Sequence, residues 1–160
     1  MAQIVFKRHE KKYLLTGEQY QRLMLVLNGV MDMDVYGRHT IRNIYLDTPD
    51  YELIRTSIEK PVYKEKVRLR CYGGSIDDSS TVFVEIKKKF ESVVYKRRVE
   101  MSLETARKYL YYGIEPKEEG QILKEVDYTV KRYGLRPMAY ISYERTAYSC
   151  QMVREQRLAF

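Results

Sequence analysis

Residues 64–98 read KEKVRLRCYGGSIDDSSTVFVEIKKKFESVVYKRR, and this stretch predicts three consecutive β-strands. Runs rich in β-branched, aromatic and basic residues are separated there by two turn sequences, GGSIDDSS and FES. Such runs, divided by glycine, serine and aspartate clusters, are typical of antiparallel hairpins. We therefore expect strands at about 62–72, 81–90 and 93–101 that follow one another as a meander.

The same segment is strongly basic. It supplies +5 of the formal net charge of +7, because ten Lys and Arg residues stand against five carboxylates. A local excess of this kind indicates a defined anionic partner better than it indicates general solubility. The ten cations are Lys64, Lys66, Arg68, Arg70, Lys87, Lys88, Lys89, Lys96, Arg97 and Arg98.

Alternation along each predicted strand sorts these charges by face, because successive side chains of a strand point to opposite sides. Each of the three strands has one charged face and one mostly apolar face. The charged faces contain Lys64, Lys66, Arg68, Arg70, Glu85, Lys87, Lys89, Lys96, Arg98 and Glu100. Three charged residues, Glu65, Lys88 and Arg97, interrupt the apolar faces.

Two interpretations of the charged faces are open. A charged face of an antiparallel sheet often simply faces water. However, like charges directly opposite each other destabilise strand pairing by up to about 1 kcal/mol, so a solvated face usually mixes the two signs. Neighbouring strands that stack Lys and Arg favour an anion with several charges. Phosphate chains fit best, because arginine donates bidentately to phosphate oxygens and lysine acts as a mobile point charge.

The rest of the chain predicts an α+β protein. A strand at 4–15 is followed by an amphipathic helix at 17–29, which Thr16 and Gln19 start with a capping box. A second strand is predicted at 43–48, and a short helical turn runs from Pro49 to Ile58. Ser102 caps a predicted helix that runs to about Tyr112, and a second helix follows Pro116 and stops at Gly134, before a last long strand at 136–150. Long polar strands indicate a curved antiparallel sheet or β-barrel.

Composition narrows the class of protein. All 160 residues are expected to form one domain, and no apolar run is long enough to cross a bilayer. The N-terminus lacks the features of a secretory signal, so we expect a cytoplasmic protein. Cys71 and Cys150 are expected to be reduced thiols, and two histidines are too few for a histidine metal centre. A bound metal would therefore be a hard cation held by carboxylates.

Six motifs in order resemble one family. They are RHEKKYLL at 8–15, NIYLDTPDYEL at 43–53, KVRLRCYG at 66–73, VFVEIKKK at 82–89, VYKRRV at 94–99 and YISYERTAY at 140–148. Together they resemble the VTC domain, the polyphosphate polymerase-like branch of the triphosphate tunnel metalloenzymes, which are also grouped with CYTH proteins. The resemblance implies an eight-stranded antiparallel β-barrel with helices inserted between strands. This tunnel would bind ATP, tripolyphosphate or polyphosphate and would transfer or hydrolyse the terminal phosphate with Mn²⁺ or Mg²⁺.

The resemblance also implies the site residues. The matching phosphate-binding positions are Lys12, Arg68, Arg70, Lys87, Lys96, Arg98 and Arg145. Of these, Arg70 and Lys87 are predicted to be catalytic. Glu10 is the first candidate metal ligand and Glu85 the second, although salt bridges to the lining cations explain both carboxylates equally well. Tyr45 and Asp47 share a strand face that could reach the tunnel wall, whereas core packing is an equally good interpretation of Tyr45.

Family members continue past YERTAY with further strands. We therefore expect the C-terminal strands of the tunnel to be missing from this sequence, and a second copy of the chain, in a homo-oligomer, could complete the wall. This expectation favours a second hypothesis, a non-catalytic module that binds polyphosphate or an inositol phosphate. RNA binding is a third hypothesis, suggested by sixteen tyrosines beside basic strands. A nucleic-acid partner is not expected, because the sequence contains no RNP-like motif.

Overall fold

A computed structural model describes residues 11–91, 93–117, 120–150 and 157–159. In chain order these residues form α1 (Gly17–Leu27), β1 (Met31–Asp47), α2 (Glu52–Ile58), β2 (Tyr63–Tyr72), β3 (Thr81–Phe90), β4 (Val93–Ser102), α3 (Leu103–Tyr112), α4 (Gln121–Tyr133), β5 (Arg136–Cys150) and β6 (Arg157–Ala159). The strands form one sheet in the order β4-β3-β2-β1-β5-β6. In this part of the chain β4 and β6 end the sheet, which is therefore not closed into a barrel. The predicted α+β class with an antiparallel sheet is confirmed.

Most of the predicted elements are present. The three strands of the 64–98 segment are β2, β3 and β4, and the last predicted strand is β5. Helix α1 begins with the predicted capping box, because the side chains of Thr16 and Gln19 each accept a hydrogen bond from the other residue's backbone N–H. Helix α3 begins at the predicted Ser102 cap, and α4 ends at Gly134, which has the positive φ of 61° that favours glycine.

Two strand predictions differ from the structure. The first, at 4–15, is wrong for residues 11–15, which form no strand, and residues 4–10 lie outside the described part. All of 11–15 are exposed, so they lack the half-buried alternation that stabilises a strand. The second, at 43–48, is too short, because β1 already begins at Met31. Its first half contains Asp32, Asp34 and Gly37, and these residue types are depleted in strands.

The described residues fall into two compact units. Unit 1 contains residues 41–142, and unit 2 contains residues 11–40, 143–150 and 157–159. Strands β1 and β5 each contribute residues to both units. The prediction of one domain over 1–160 stays a prediction.

Unit 1 has its hydrophobic core on one side of β2, β3 and β4. Apolar residues of the three strands, such as Val67, Val84 and Met101, pack there with residues of α2, α3 and α4, such as Leu53, Tyr109 and Val126. Burial of each large apolar side chain contributes about 1.5–3 kcal/mol to stability, so this side fixes the orientation of the strands. It is termed the core face.

Unit 2 contains α1, the first part of β1, the end of β5, and β6. Strands β5 and β6 pair in antiparallel register from Ala147 and Ala159. Helix α1 has no buried residue, and its apolar side lines an open groove of about 470 Å³ together with Met31 and Tyr148. None of the helices in the described ranges combines the length and the apolarity needed to span a bilayer.

Candidate phosphate-binding face

The register of unit 1 aligns the charged positions of β2, β3 and β4 on one side of the sheet. Lys66, Lys87 and Lys96 lie directly opposite one another and form one row across the three strands. The next row is Arg68, Glu85 and Arg98. This side, opposite the core face, is termed the polar face. Its eight cations and two carboxylates are Lys64, Lys66, Arg68, Arg70, Lys87, Lys89, Lys96, Arg98, Glu85 and Glu100.

Glu85 lies at the centre of the polar face, and the residue is only 1% exposed. The Nε atom of Arg68 donates to its Oε2 at 2.8 Å, and Arg68 Nη2 lies 2.6 Å from the same oxygen. The Nζ atom of Lys96 lies 2.9 Å from its Oε1, and the Nε atom of Arg70 lies 3.9 Å from Oε2. One carboxylate is therefore shared by three cations, and the group keeps a net positive charge.

The ionisation of this group follows from its contacts. Burial raises the pKa of Glu85, but the nearby Lys96 and Arg68 outweigh burial and hold its pKa below the usual range. Burial lowers the pKa of Arg68, and the contacts with Glu85 and Tyr45 more than reverse this effect, so its pKa is raised. Both groups are therefore charged at neutral pH.

Side chains of β1 and β2 orient the two arginines. The Nε atom of Arg70 donates to Asn43 Oδ1 at 2.9 Å, and Asn43 Nδ2 donates to the carbonyl oxygen of Ile141 at 3.2 Å. The ring of Tyr72 lies 5.7 Å from the Arg70 guanidinium carbon. Arg68 donates from Nη1 to the Tyr45 hydroxyl at 3.1 Å. These contacts fix both guanidinium groups before any ligand binds.

Three other cations of the polar face are more exposed than the two arginines. Lys87, Lys96 and Arg98 are exposed, and the guanidinium carbon of Arg98 lies 4.5 Å from the centre of the Phe83 ring. Within the described ranges Lys66, Lys89 and Arg98 form no ion pair. The face thus combines arginines that several contacts hold in place with lysines of which Lys87 and Lys96 are exposed.

The predicted site residues divide between the two units. Arg68, Arg70, Lys87, Lys96 and Arg98 share the polar face of unit 1 with Glu85. Lys12 is exposed in the segment before α1 in unit 2, and Arg145 lies on β5 in unit 2. The Arg145 Nε atom is buried and meets no hydrogen-bond acceptor among the described residues. Glu10 lies outside the described residues. The roles of all these residues in phosphate binding stay predictions.

The described carboxylates form no cluster that would hold Mn²⁺ or Mg²⁺ by itself, and the metal stays a prediction. The described ranges contain no group of three or more histidine, cysteine, aspartate or glutamate side chains that could hold a metal. A divalent cation at Glu85 would lie beside Arg68 and Lys96, and this repulsion is strong in a buried place. Glu85 already has the partners expected of a structural ion pair, which was the alternative interpretation of this residue.

Asp47 does not face the polar surface for which it was predicted. Its carboxylate accepts hydrogen bonds from the backbone N–H groups of Thr48, Leu53 and Ile54, at 2.8, 2.8 and 3.1 Å. The prediction is wrong, because this side chain satisfies the free N–H groups at the start of α2. Tyr45, in contrast, contributes its hydroxyl to the polar face through Arg68.

The three charged residues that interrupt the apolar faces have partners on the core side. Lys88 Nζ lies 2.6 Å from Glu125 Oε1, and Arg97 Nη1 lies 2.9 Å from Glu125 Oε2 on α4. Glu65 accepts a hydrogen bond from the Tyr63 hydroxyl at 3.0 Å. Burial raises the pKa of Glu125, but Lys88 and Arg97 more than offset burial, so its pKa is lowered.

Residue-level prediction of the site missed several members of the polar face. Alternation had already placed Lys64, Lys66 and Lys89 on the charged faces, but the family motifs from which the site residues were taken did not include them. Asn43 and Tyr72 gave no such signal, because their role depends on the register between β1 and β2, which places Asn43 opposite Arg70.

A model of the VTC domain family matches residues 7–160. The chain belongs to the VTC domain family. Vacuolar transporter chaperone complex subunit 4 of Schizosaccharomyces pombe is 29% identical to this VTC domain over 68% of the chain. The chain spans only 18% of that relative's length.

A proposed adenylate cyclase from Bacillus halodurans, of known crystal structure, is similar in fold. Its TM-score is 0.53 at 16% sequence identity, and the similar regions cover 92% of this VTC domain and 75% of that protein. The similarity concerns the fold alone. The recognition of a VTC domain with a fold similar to the triphosphate tunnel is thereby confirmed.

Proposed function

We propose that the polar face of this VTC domain binds linear polyphosphate or the triphosphate of ATP, and that the terminal phosphate is transferred or hydrolysed there. The row of Lys66, Lys87 and Lys96 carries the proposal. Three like charges opposite one another weaken strand pairing, and an anion with several charges removes this cost. Membership of the VTC family supports phosphate as that anion.

The arrangement suits phosphoryl transfer, which requires positioning and neutralisation of charge more than covalent help from the protein. Arg70 is only 7% exposed and is oriented by Asn43, so it can hold one phosphate group in a fixed place. Lys87 is exposed and can follow the charge that develops on the transferred group. Arg70 and Lys87 are therefore the proposed catalytic residues.

Titration calorimetry with sodium tripolyphosphate in chelator-containing buffer tests the binding step. Lys87→Ala should weaken binding about tenfold or more, because it removes the centre of the lysine row. Lys124→Ala is the matched control, since Lys124 is exposed on α4 and its loss should leave binding unchanged. Equal affinities of the wild type and both variants would contradict the proposal.

A non-catalytic binding module is the second candidate. It is favoured by Glu85, which is engaged by three cations instead of being available to a metal. Incubation with ATP or tripolyphosphate, with Mn²⁺ or Mg²⁺ present, separates the two functions. Phosphate release or growth of a polyphosphate chain supports the enzyme, whereas tight binding without product supports the module. The dependence on a divalent metal stays a prediction, and addition of a chelator to any turnover assay tests it.

A further inference from the structure

We propose that Glu85 is an internal counter-anion of the polar face. An incoming phosphate chain displaces Glu85 as the partner of Lys96, so Glu85 lowers the affinity of the face for phosphate. This inference rests on the proposed function of the polar face. It assigns to Glu85 a role in setting affinity instead of a role in holding metal.

Glu85 occupies donor groups that a phosphate group would use. Carboxylate and phosphate oxygens both accept paired hydrogen bonds from a guanidinium group. Arg68 Nε already donates to Glu85 Oε2, and Arg68 Nη2 lies 2.6 Å from the same oxygen. Lys96 forms an ion pair with Glu85 Oε1. A phosphate chain on this face therefore competes with the protein's own anion for the same cations.

Lys96 is the partner that can leave. Its side chain is 42% exposed, whereas that of Arg68 is 20% exposed. Arg68 is also held by Tyr45, while Glu85 is the only ion-pair partner of Lys96 among the described residues. Lys96 is therefore the most exposed of the three cations around Glu85 and the one that an incoming anion can displace.

The position of Lys96 connects this exchange to binding. Lys96 stands in the row with Lys66 and Lys87, so a lysine released from Glu85 remains beside the other two. Glu85 would stay with Arg68 and Arg70, and its negative charge would continue to oppose the ligand. Neutralising Glu85 removes both the competition for Lys96 and this repulsion.

Glu85→Gln tests the inference, because glutamine keeps the shape and one acceptor oxygen but loses the charge. Titration with sodium tripolyphosphate at pH 7 in chelator-containing buffer should show binding about tenfold tighter than that of the wild type, which equals about 1.4 kcal/mol. Glu59→Gln is the matched control. Glu59 lies outside the polar face, directly after α2, is exposed and has no ion-pair partner in the described ranges, so its neutralisation should change affinity less than about twofold.

Unchanged or weaker binding by Glu85→Gln overturns the inference. A metal-ligand role would also give no change in chelator-containing buffer, and the effect would then arise only with Mn²⁺ or Mg²⁺. A purely structural role of Glu85 predicts weaker binding. The three interpretations therefore differ in the direction of the change.

Two further variants test the exchange itself. In a Lys96→Met background, Glu85→Gln should no longer tighten binding by the full factor, and an undiminished effect would show that Lys96 is not the exchanged cation. Glu85→Asp keeps the charge that Arg68 and Arg70 require for folding but shortens the reach to Lys96. It should bind tripolyphosphate slightly more tightly than the wild type, and equal or weaker binding would overturn the inference even if Glu85→Gln does not fold.

The failure of this inference is distinguishable from failure of the proposed function. A wild-type protein that binds tripolyphosphate, with a Glu85→Gln variant that binds no more tightly, leaves the proposed function intact and rejects the role of Glu85. Absence of binding by both folded proteins rejects both proposals. Binding by Glu85→Gln alone supports the inference in its strongest form, in which the internal anion blocks the site.

Discussion

Both faces of the β2–β4 sheet carry charged residues, but the two faces differ in how many of these charges have partners within the protein. On the core face, Lys88 and Arg97 meet Glu125, and Glu65 meets Tyr63. On the polar face, eight cations stand against two carboxylates, of which only Glu85 forms ion pairs in the described ranges. A charge that has a partner within the protein is stabilised by that partner. An excess of positive charge is stabilised only by water or by an external anion. The polar face is therefore the side on which a ligand is expected.

The largest predicted difference is in the free energy of unfolding, between alanine substitutions of two neighbouring residues on opposite faces. Ile86 is buried on the core face and Lys87 is exposed on the polar face. Ile86→Ala should lower the free energy of unfolding by about 3 kcal/mol because it leaves a cavity. Lys87→Ala should change that free energy by less than about 0.5 kcal/mol. Urea denaturation measures both, and a large loss with Lys87→Ala would contradict the division into two faces.

The Glu125 ion pairs should matter for stability and not for binding. Glu125→Gln leaves Lys88 and Arg97 partly buried without a counter-charge, and should cost about 2 kcal/mol, less than for a fully buried pair. Its control is Glu104→Gln, which breaks only the exposed pair with Lys108 and should cost less than about 0.5 kcal/mol. Thermal denaturation gives the two losses. Tripolyphosphate affinity should stay unchanged, and its loss would couple α4 to the polar face.

The pH dependence of stability should differ between the wild type and Glu125→Gln. The pKa of Glu125 in the folded state lies below the ordinary value, so its ion pairs stabilise the fold at every pH above the unfolded-state pKa of about 4.3. This contribution is lost as the pH falls through the folded-state pKa. Denaturation of the wild type between about pH 6 and pH 3 should therefore show a steeper loss than Glu125→Gln. Identical slopes would mean that Glu125 is not linked to acid unfolding.

The smallest predicted effect is a gain in stability on substitution of one lysine of the row. Lys66→Met removes one of three opposed lysines, and should raise the free energy of unfolding by about 0.5 kcal/mol because like charges across strands repel. The same change should weaken tripolyphosphate binding, because the row loses a cation. Denaturation and calorimetry on one preparation measure both quantities. A variant that is less stable than the wild type would show that the row is not strained by its charges.

The sequence predicted the face of each charge better than it predicted the partners. Alternation in β2, β3 and β4 assigned Arg68, Arg70 and Lys96 to one side because a strand has a fixed two-residue period. The burial of Glu85 was not predictable in this way, because it depends on the register that places Arg68 and Arg98 on either side. The Lys88–Glu125 pair joins β3 to a helix 37 residues further along the chain, and a local pattern contains no information about such a contact.

The alternation also could not assign Asp47. Asp47 lies two residues after Tyr45 and therefore on the same strand face. However, the strand ends at Asp47 and the chain turns into α2, so the N–H groups at the start of α2 decide the direction of its carboxylate. The first half of β1 was missed for a related reason, since Asp34 and Gly37 disfavour a strand unless tertiary pairing holds it.

The lysine row has a consequence for the route to the folded state. Strands β2, β3 and β4 are consecutive, so their contacts are close along the chain and their hairpins are expected to form early in folding. Each hairpin must bring Lys87 against another lysine, and this repulsion is present as soon as the strands meet. Salt screens such charges over about 10 Å at 0.1 M. The refolding rate of this domain should therefore rise with ionic strength, and the nascent chain should fold fastest where counter-ions are abundant.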